Sequence, residues 1–287
     1  MNRLAKLFFA VGFSGLLISA VGAAGGPRWV ASPPNTSASP RARVTEYRTY
    51  CGGWTVAASP VPAEPDTRPL VWVVDGAGDL KGCSNALAQA NLLAGNTVEL
   101  SVFPWSHGYR QLLRDQTDWP YAKAQGERLA AAILDRKTRE PNRRVVLIAH
   151  SAGCAVALAA GTCLPPDGID HTILLAPSVS TGYDLRPSLW AAREGVDVFC
   201  SRKDWVALGF VMRVVGTSDR GSGTAAGRFG FRPKGPVAAE VGASAKLRQH
   251  FWSAEQAWTG HTGGHHGMHT PAFVHAYLFP LIGAPVK

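Results

Sequence analysis

The chain of 287 residues has no Cys-x-x-Cys pair, no internal repeat and no run of basic residues. The missing cysteine pair argues against a zinc knuckle or a thioredoxin-like redox centre. Its 29 Lys and Arg are scattered and not interleaved with aromatic side chains, whereas nucleic-acid-binding domains concentrate them in a stripe or cluster. We therefore expect no nucleic-acid partner, and we attribute the net charge of +9 to solubility.

The first residues have the layout of a secretory signal peptide. Arg3 and Lys6 precede an apolar stretch over 7–21, and Val21-Gly22-Ala23 offers small residues for cleavage. An uncleaved membrane anchor is the alternative, because the apolar stretch approaches the length of a short span. We expect a signal peptide over 1–23 and an exported protein, periplasmic or extracellular.

The rest of the chain is expected to divide at residue 68. Residues 24–67 are rich in Pro, Ser and Ala and predict a linker with a peripheral hairpin over 43–58. Residues 68–287 are enough to bury a large core as one domain. Export permits disulfides, and among the five cysteines Cys51 and Cys83 are our candidate pair.

Apolar runs and helix-like spacing alternate between residues 70 and 200. The predicted strands span 70–74, 97–103, 145–149, 172–176 and 196–200, with a last strand near 246–252. The predicted helices span 84–93, 121–137, 152–160 and 185–193. This alternation is typical of βαβ units, so we expect an α/β fold with a mostly parallel central sheet and helices on both faces. Ligands of such sheets bind at the carboxyl ends of the strands.

The most informative segment is the run Val145–Ala149 followed by His150-Ser151-Ala152-Gly153. A buried strand here enters a helix through a turn built from small residues, with one serine at its tip. This pattern is typical of a nucleophile elbow, whose strained backbone and close packing require small neighbours. The helix also directs its positive N-terminal end at the serine, which favours a developing oxyanion.

A nucleophilic serine needs a base and an acid that orients the base, and in this fold the chain order is Ser, Asp, His. Two strands beyond Ser151, the strand over 196–200 ends close to Asp204, our candidate acid. Asp197, inside a strand, and Asp219, in a Gly-rich loop, are its rivals.

The base is expected among four histidines near the C-terminus. His261, His265, His266 and His269 lie in a Gly-rich segment, and glycines give a loop histidine the freedom to reach Ser151. His265 is our candidate from its Gly-Gly-His context, and His266 is the alternative. The other two are assigned to the surface or to supporting contacts.

The same four histidines raise the possibility of a metal site. No cysteine or carboxylate lies among them, and the Thr-Gly-Gly between His261 and His265 is a poor helix. We therefore expect no metal and no cofactor.

The oxyanion hole requires two backbone N–H groups. We assign one to Ala152 and the other to Ala77, in the loop Asp75-Gly76-Ala77-Gly78 that follows the first strand. Three side chains after the next strand are candidates for an apolar substrate wall: Trp105, His107 and Tyr109.

Over residues 68–285 these motifs resemble those of the α/β-hydrolase superfamily, and most closely exported bacterial serine hydrolases without a large lid. The sequence departs from the usual pattern at Ala149, where the first glycine of the elbow stands, and at Asp75-Gly76, where His-Gly is common. The resemblance implies a carboxylic-ester hydrolase (EC 3.1.1) of the esterase or lipase type. Its implied substrates are small-molecule or lipid-like acyl esters, with association with a membrane or the cell envelope left open.

Two other functions are compatible with the same residues. One is a binding protein on a catalytically degenerate hydrolase fold. The other is an acyltransferase or peptidase that uses the same triad, because fold and triad do not separate these reactions. The sequence leaves the acyl chain and the oligomeric state open.

Overall fold

The computed structural model of the chain describes residues 66–205, 207–208, 215–221, 224–232 and 245–283, together with the backbone of 43–48 and 54–59. The proposed signal peptide, most of the proposed linker and Cys51 lie outside these ranges. Among the described residues, no helix is both long enough and apolar enough to cross a membrane.

The two N-terminal strands belong to a unit of their own, separate from the one that begins at Arg68. Strand β1 (Arg43–Arg48) pairs antiparallel with β2 (Trp54–Ser59), and Arg43 lies opposite Ser59. The hairpin expected over 43–58 is therefore present.

The main unit is built on six parallel strands. They are β3 (Leu70–Val74), β4 (Glu99–Val102), β5 (Val145–His150), β6 (His171–Leu175), β7 (Val196–Cys200) and β8 (Leu247–Phe251). Their order across the sheet is β4-β3-β5-β6-β7-β8, and every neighbouring pair is parallel. The predicted parallel sheet is confirmed. Because the chain changes direction across the sheet between β4 and β5, the crevice beyond the ends of β3 and β5 is the switch point where ligands bind in such folds.

Helices connect the strands and flank the sheet. They are α1 (Gly82–Leu93), α2 (Leu112–Thr117), α3 (Trp119–Arg139), α4 (Gly153–Gly161), α5 (Arg186–Ala191) and α6 (Ala226–Phe229), followed by a 3₁₀ helix (Ala254–Thr259). The C-terminal helix consists of α7 (Pro271–Phe273), a π-helix (Val274–Leu278) and α8 (Phe279–Ile282). The short α2 and α6 and the 3₁₀ helix have no counterpart among the predicted elements.

Alternate side chains of the four central strands, β3, β5, β6 and β7, enter two apolar clusters, one on each face of the sheet. In β5, Leu147 and Ala149 pack with α3, α4 and α5, whereas Val146 and Ile148 pack with α1 and the C-terminal helix. The sheet is therefore covered on both faces, which explains why its central strands are continuously apolar in sequence.

Cys83 corrects one prediction. It is a free thiol, buried in the first turn of α1 against the face of the sheet that α1 covers. Burial and the neighbouring Asp75 raise the pKa of this thiol well above its usual value. The expected pairing of Cys51 with Cys83 is wrong, because the apolar spacing of α1 turns Cys83 into the core as a small hydrophobic side chain.

Asp197 is a carboxylate completely buried inside β7. His171 Nε2 and His250 Nε2 each lie 2.5 Å from its oxygens, and Arg248 donates from Nη2 at 2.6 Å. Burial alone would raise the pKa of Asp197, but the hydrogen bonds from these three side chains hold it well below its usual range. Asp197 therefore joins β6, β7 and β8 as a charged structural group.

We expect the Asp197→Ala variant to lose about 3 kcal/mol of unfolding free energy, since it leaves three polar side chains without their shared acceptor. Asp135→Ala is the matched control, because Asp135 is largely exposed on α3 and pairs with Arg139 one turn further along the helix, which predicts a loss of about 0.5 kcal/mol or less. Urea unfolding followed by circular dichroism measures both. Equal losses in the two variants would contradict the structural role of Asp197.

Candidate active site

Ser151 occupies the turn between β5 and α4 with a backbone φ of +52°, a conformation that residues with a side chain rarely adopt. Three hydrogen bonds hold the turn. The Ser151 N–H donates to the Leu175 carbonyl at 2.9 Å, and the Ser151 carbonyl accepts from the N–H groups of Cys154 (3.1 Å) and Ser178 (3.3 Å). The strained backbone is therefore fixed from β6, from α4 and from the loop after β6.

Gly153 lets α4 begin directly against the end of β3. A Cβ atom at this position would lie 2.6 Å from the Val74 carbonyl oxygen and would also meet the carbonyl oxygen of Asp75. Only a residue without a side chain fits this contact without moving the helix or the loop. The small residue that the elbow pattern required at this position thus sets the distance between α4 and the loop after β3.

Ser151, His265 and Asp204 are connected by hydrogen bonds. His265 Nε2 lies 2.9 Å from Ser151 Oγ, and His265 Nδ1 lies 2.6 Å from Asp204 Oδ2. The acceptor Asp204 fixes the proton of neutral His265 on Nδ1, so that Nε2 presents a lone pair to the serine hydroxyl. The geometry suits proton transfer from Ser151 to His265.

The loops that carry Asp204 and His265 are tied to each other. Asp204 follows β7, is buried, and accepts the N–H of Leu208 on its second oxygen at 3.3 Å. Ser201, at the start of the same loop, donates its hydroxyl to the Gly263 carbonyl at 2.5 Å. This bond holds the loop of His265 against the end of β7.

The two rival acids make other contacts. Asp197 belongs to the buried network of β6–β8, and Asp219 accepts from the N–H and hydroxyl of Ser180 at 2.9 and 2.5 Å. Neither contributes to the described hydrogen bonds of His265.

The remaining histidines of the C-terminal segment lie around His265 without contacting Ser151. His266 packs edge-on against the His265 ring, with centroids 5.1 Å apart. His261 is buried, its carbonyl accepts the indole N–H of Trp252 at 2.8 Å, and burial lowers its pKa to about 4. The structure thus connects Ser151 to His265 and not to the alternative His266.

His150 packs against the ring of His265, with centroids 4.8 Å apart, and His269 packs against His150. His150 is buried, with its ring centroid 4.2 Å from that of His269. Burial and the neighbouring imidazoles lower the pKa of His150 well below its usual value and that of His269 to about 3. Both rings are therefore neutral at physiological pH.

The two backbone N–H groups assigned to the oxyanion hole, those of Ala152 and Ala77, have no hydrogen-bond acceptor among the described residues. Ala152 is the N-cap of α4, so its N–H is one of the donors that a helix leaves unpaired. The Ala77 loop lies beside the serine, since a Cβ atom at Gly76 would lie 3.2 Å from Ser151 Cβ. Both donors thus remain available to a ligand at the switch point.

Asp75, the departure from the usual His-Gly pattern, anchors this loop. Its Oδ1 accepts the N–H groups of Cys83 and Ser84 at 2.9 and 3.1 Å, which supplies acceptors to the first turn of α1. Its carbonyl accepts the indole N–H of Trp105 at 2.7 Å. The side chain of Asp75 therefore fixes the loop after β3 by bonding it to the first turn of α1.

Asp115 is the residue that the sequence analysis missed. It lies in the short α2, is buried, and accepts from the Gly78 N–H at 2.7 Å and the Ser106 hydroxyl at 2.5 Å. It also accepts the N–H of His107 at 2.8 Å, and the His107 ring lies 2.9 Å away. One carboxylate thus joins the loop after β3 to the loop after β4.

The three residues predicted for a substrate wall have different surroundings. Trp105 is buried beneath the loop of Asp75, and the His107 ring stacks on Tyr121 with centroids 3.7 Å apart. Tyr109 is exposed, with the Arg110 guanidinium above its ring. Trp105 and His107 are therefore held by protein contacts, and of the three only Tyr109 is largely exposed to solvent.

No protein-family model matches the chain, and no curated protein matches its sequence. Solved structures do match, among them a Bacillus licheniformis lipase in mature form (11% identity, 78% of this chain and 96% of that one, TM-score 0.42). A Pyrococcus furiosus esterase matches at 12% identity over 91% of this chain and 96% of that one, with a TM-score of 0.42. A Trichoderma reesei cutinase in complex with a phosphonate inhibitor matches at 15% identity over 57% and 69%, with a TM-score of 0.38.

The parallel sheet and the strained Ser151 turn between β5 and α4 are the features that define the fold. The chain has an α/β-hydrolase fold.

We expect Gly153→Ala to lower the free energy of unfolding by about 2 kcal/mol, because the added methyl group overlaps the backbone at the end of β3. Gly182→Ala is the matched control, since an added Cβ there meets no heavy atom within 4 Å and its stability should change little. Chemical denaturation of both variants provides the measurement. A Gly153→Ala protein as stable as the control would show that α4 does not depend on this contact.

Proposed function

We propose that the chain hydrolyses carboxylic esters through an acyl-serine intermediate. The observation that carries this proposal is the pair of hydrogen bonds at His265, one to Ser151 Oγ and one to Asp204 Oδ2. A hydroxyl, an imidazole and a carboxylate in this order are the parts that activate a weak nucleophile. A binding protein on a degenerate fold has no need of this alignment beside a strained serine.

In the proposed acylation step, Ser151 Oγ attacks the ester carbonyl and its proton passes to His265 Nε2. The resulting oxyanion is bound by the N–H groups of Ala77 and Ala152. Collapse of the tetrahedral intermediate breaks the bond to the alcohol, which takes the proton from His265 as it leaves. Asp204 stabilises the imidazolium without accepting its proton.

Deacylation repeats these steps with water as the nucleophile. Water gives a proton to His265 as its oxygen bonds to the acyl carbon, and the proton then returns to Ser151 Oγ as the acid is released. Transfer to another acceptor, or cleavage of an amide, would use the same groups. Product analysis with different acyl donors and acceptors separates these reactions.

The proposed cellular setting rests on the sequence alone. The signal-like segment over 1–23 supports export, and a domain beginning at residue 68 would then follow a linker. Small or lipid-like acyl esters are the proposed substrates.

We expect Ser151→Ala to lower kcat for p-nitrophenyl ester hydrolysis by at least about 10⁴-fold and to abolish labelling by a fluorophosphonate. Ser253→Ala is the matched control, because Ser253 is exposed and its side chain makes no capping bond to the 3₁₀ helix. Peptide mapping of the labelled wild type should find the modification on Ser151. Equal labelling of Ser151→Ala and wild type would refute the acyl-serine mechanism, and a series of acyl chain lengths would define the substrate.

Asp115 is proposed as a positioning residue for the oxyanion hole. Asp115→Ala should lower kcat by about 10- to 100-fold at nearly unchanged KM, because the Gly78 N–H loses the acceptor that fixes the loop beside Ala77. Asp115→Asn keeps one acceptor oxygen and should restore part of kcat.

The matched control is Asp118→Ala. Asp118 lies 3.5 Å from the other nitrogen of His107 and caps α3 through the Tyr121 N–H, but it has no bond to the loop after β3. It should lose about 1 kcal/mol of stability and retain kcat. Equal kcat losses in the two alanine variants would contradict a specific role for Asp115.

A further inference from the structure

Three histidines that take no part in the proposed proton transfer lie close to one another beside His265. His150 is the last residue of β5, and His266 and His269 lie in the loop that leads to α7. One potential ligand nitrogen from each ring lies within 4.8 Å of the other two. Because this cluster takes no part in the hydrogen bonds that join Ser151, His265 and Asp204, it calls for a separate explanation.

His269 has an unsatisfied nitrogen. Its Nε2 is buried and has no hydrogen-bond partner among the described residues. Its other nitrogen faces Gly82, where a Cβ atom would lie only 2.5 Å from Nδ1. A buried polar atom without a partner costs about 1–3 kcal/mol, so a ligand that pairs with His269 Nε2 would remove this cost.

His150 is oriented by the loop that carries His265. Its Nε2 lies 3.3 Å from the His265 carbonyl oxygen, which can only accept, so Nε2 carries the proton and Nδ1 keeps a lone pair. Such an arrangement, in which one ring nitrogen donates to a backbone carbonyl, is how proteins hold histidine ligands. The contact therefore leaves His150 with one ring nitrogen, Nδ1, whose lone pair can bind a cation.

We propose that His150, His266 and His269 bind one divalent late transition-metal ion of the Zn²⁺ class. Three neutral imidazoles without a carboxylate suit zinc, copper or nickel and not magnesium or calcium. Zinc–nitrogen bonds of about 2.0–2.1 Å place tetrahedral ligands about 3.4 Å apart, so nitrogens that are now up to 4.8 Å apart would move together by at most about 1.4 Å. His266 is exposed and is followed directly by Gly267, whose backbone freedom permits this movement.

The site is separable from the proposed hydrolase chemistry. None of the three ligands bonds to Ser151 or Asp204 among the described contacts, so metal binding does not depend on the acyl-serine mechanism. His265 lies next to His266 in the chain and its carbonyl contacts His150, so an ion would link the loop of His265 to the end of β5.

The test uses untagged full-length protein, stripped with a chelator and then titrated with Zn²⁺ in a calorimeter. Replacement by Co²⁺ reports ligand number and geometry through its visible absorption. We expect one ion per wild-type chain, and binding about 100-fold weaker or lost in His266→Gln and His269→Gln. His275→Gln is the matched control, because His275 belongs to the C-terminal helix outside the cluster and its removal should leave binding unchanged.

Two further measurements keep the outcomes distinct. Thermal unfolding of each variant without metal shows whether it is folded, and the exposed His266 provides a second ligand variant if His269→Gln is unstable. Ser151→Ala should lose ester hydrolysis and retain zinc binding, so failure of either proposal leaves the other testable. Absence of stoichiometric zinc binding by wild type, or equal binding by His269→Gln, would overturn the metal site. Binding lost in His265→Gln but kept in His269→Gln would overturn it as well.

Discussion

The strained turn at Ser151 is the constraint on which the rest of the site depends. A positive φ directs the serine side chain away from both the strand and the helix, and three hydrogen bonds from separate elements hold it there. Gly153 brings α4 close enough to β3 for the unpaired Ala152 N–H to lie at the same crevice. The other loops of the site then position the Ala77 N–H, Asp204 and His265 around Ser151.

Two polar connections place those groups from opposite sides. On one side, Asp115 accepts from both the loop after β3 and the loop after β4, so a single buried carboxylate sets their separation. On the other side, the Ser201 hydroxyl joins the loop of Asp204 to the loop of His265. The proposed nucleophile, base and oxyanion donors are thus held by hydrogen bonds that do not take part in the reaction, an arrangement that reduces reorganisation during catalysis.

Local patterns were enough to predict the sheet, the elbow and the positions of Ser151, Asp204 and His265, because each depends on neighbouring residues or on chain order. Asp115 could not be predicted, since its partner Gly78 lies 37 residues away and α2 carries no motif. The histidine cluster was missed for the same reason. His266 and His269 stood out in sequence, but His150 joins them only when β5 is packed beside the C-terminal loop. The pairing of Cys51 with Cys83 failed because cysteine spacing says nothing about which face of a helix enters the core.

The backbone angle of Ser151 also bears on how stable this protein can become. Glycine is the residue that adopts a positive φ without steric cost, so the turn would be more relaxed with glycine where the serine stands. Keeping a hydroxyl there means that the turn after β5 carries a conformational strain of roughly 1–3 kcal/mol, which the surrounding packing offsets. The chain is therefore less stable at this turn than its own fold would allow, because the proposed nucleophile must be kept there.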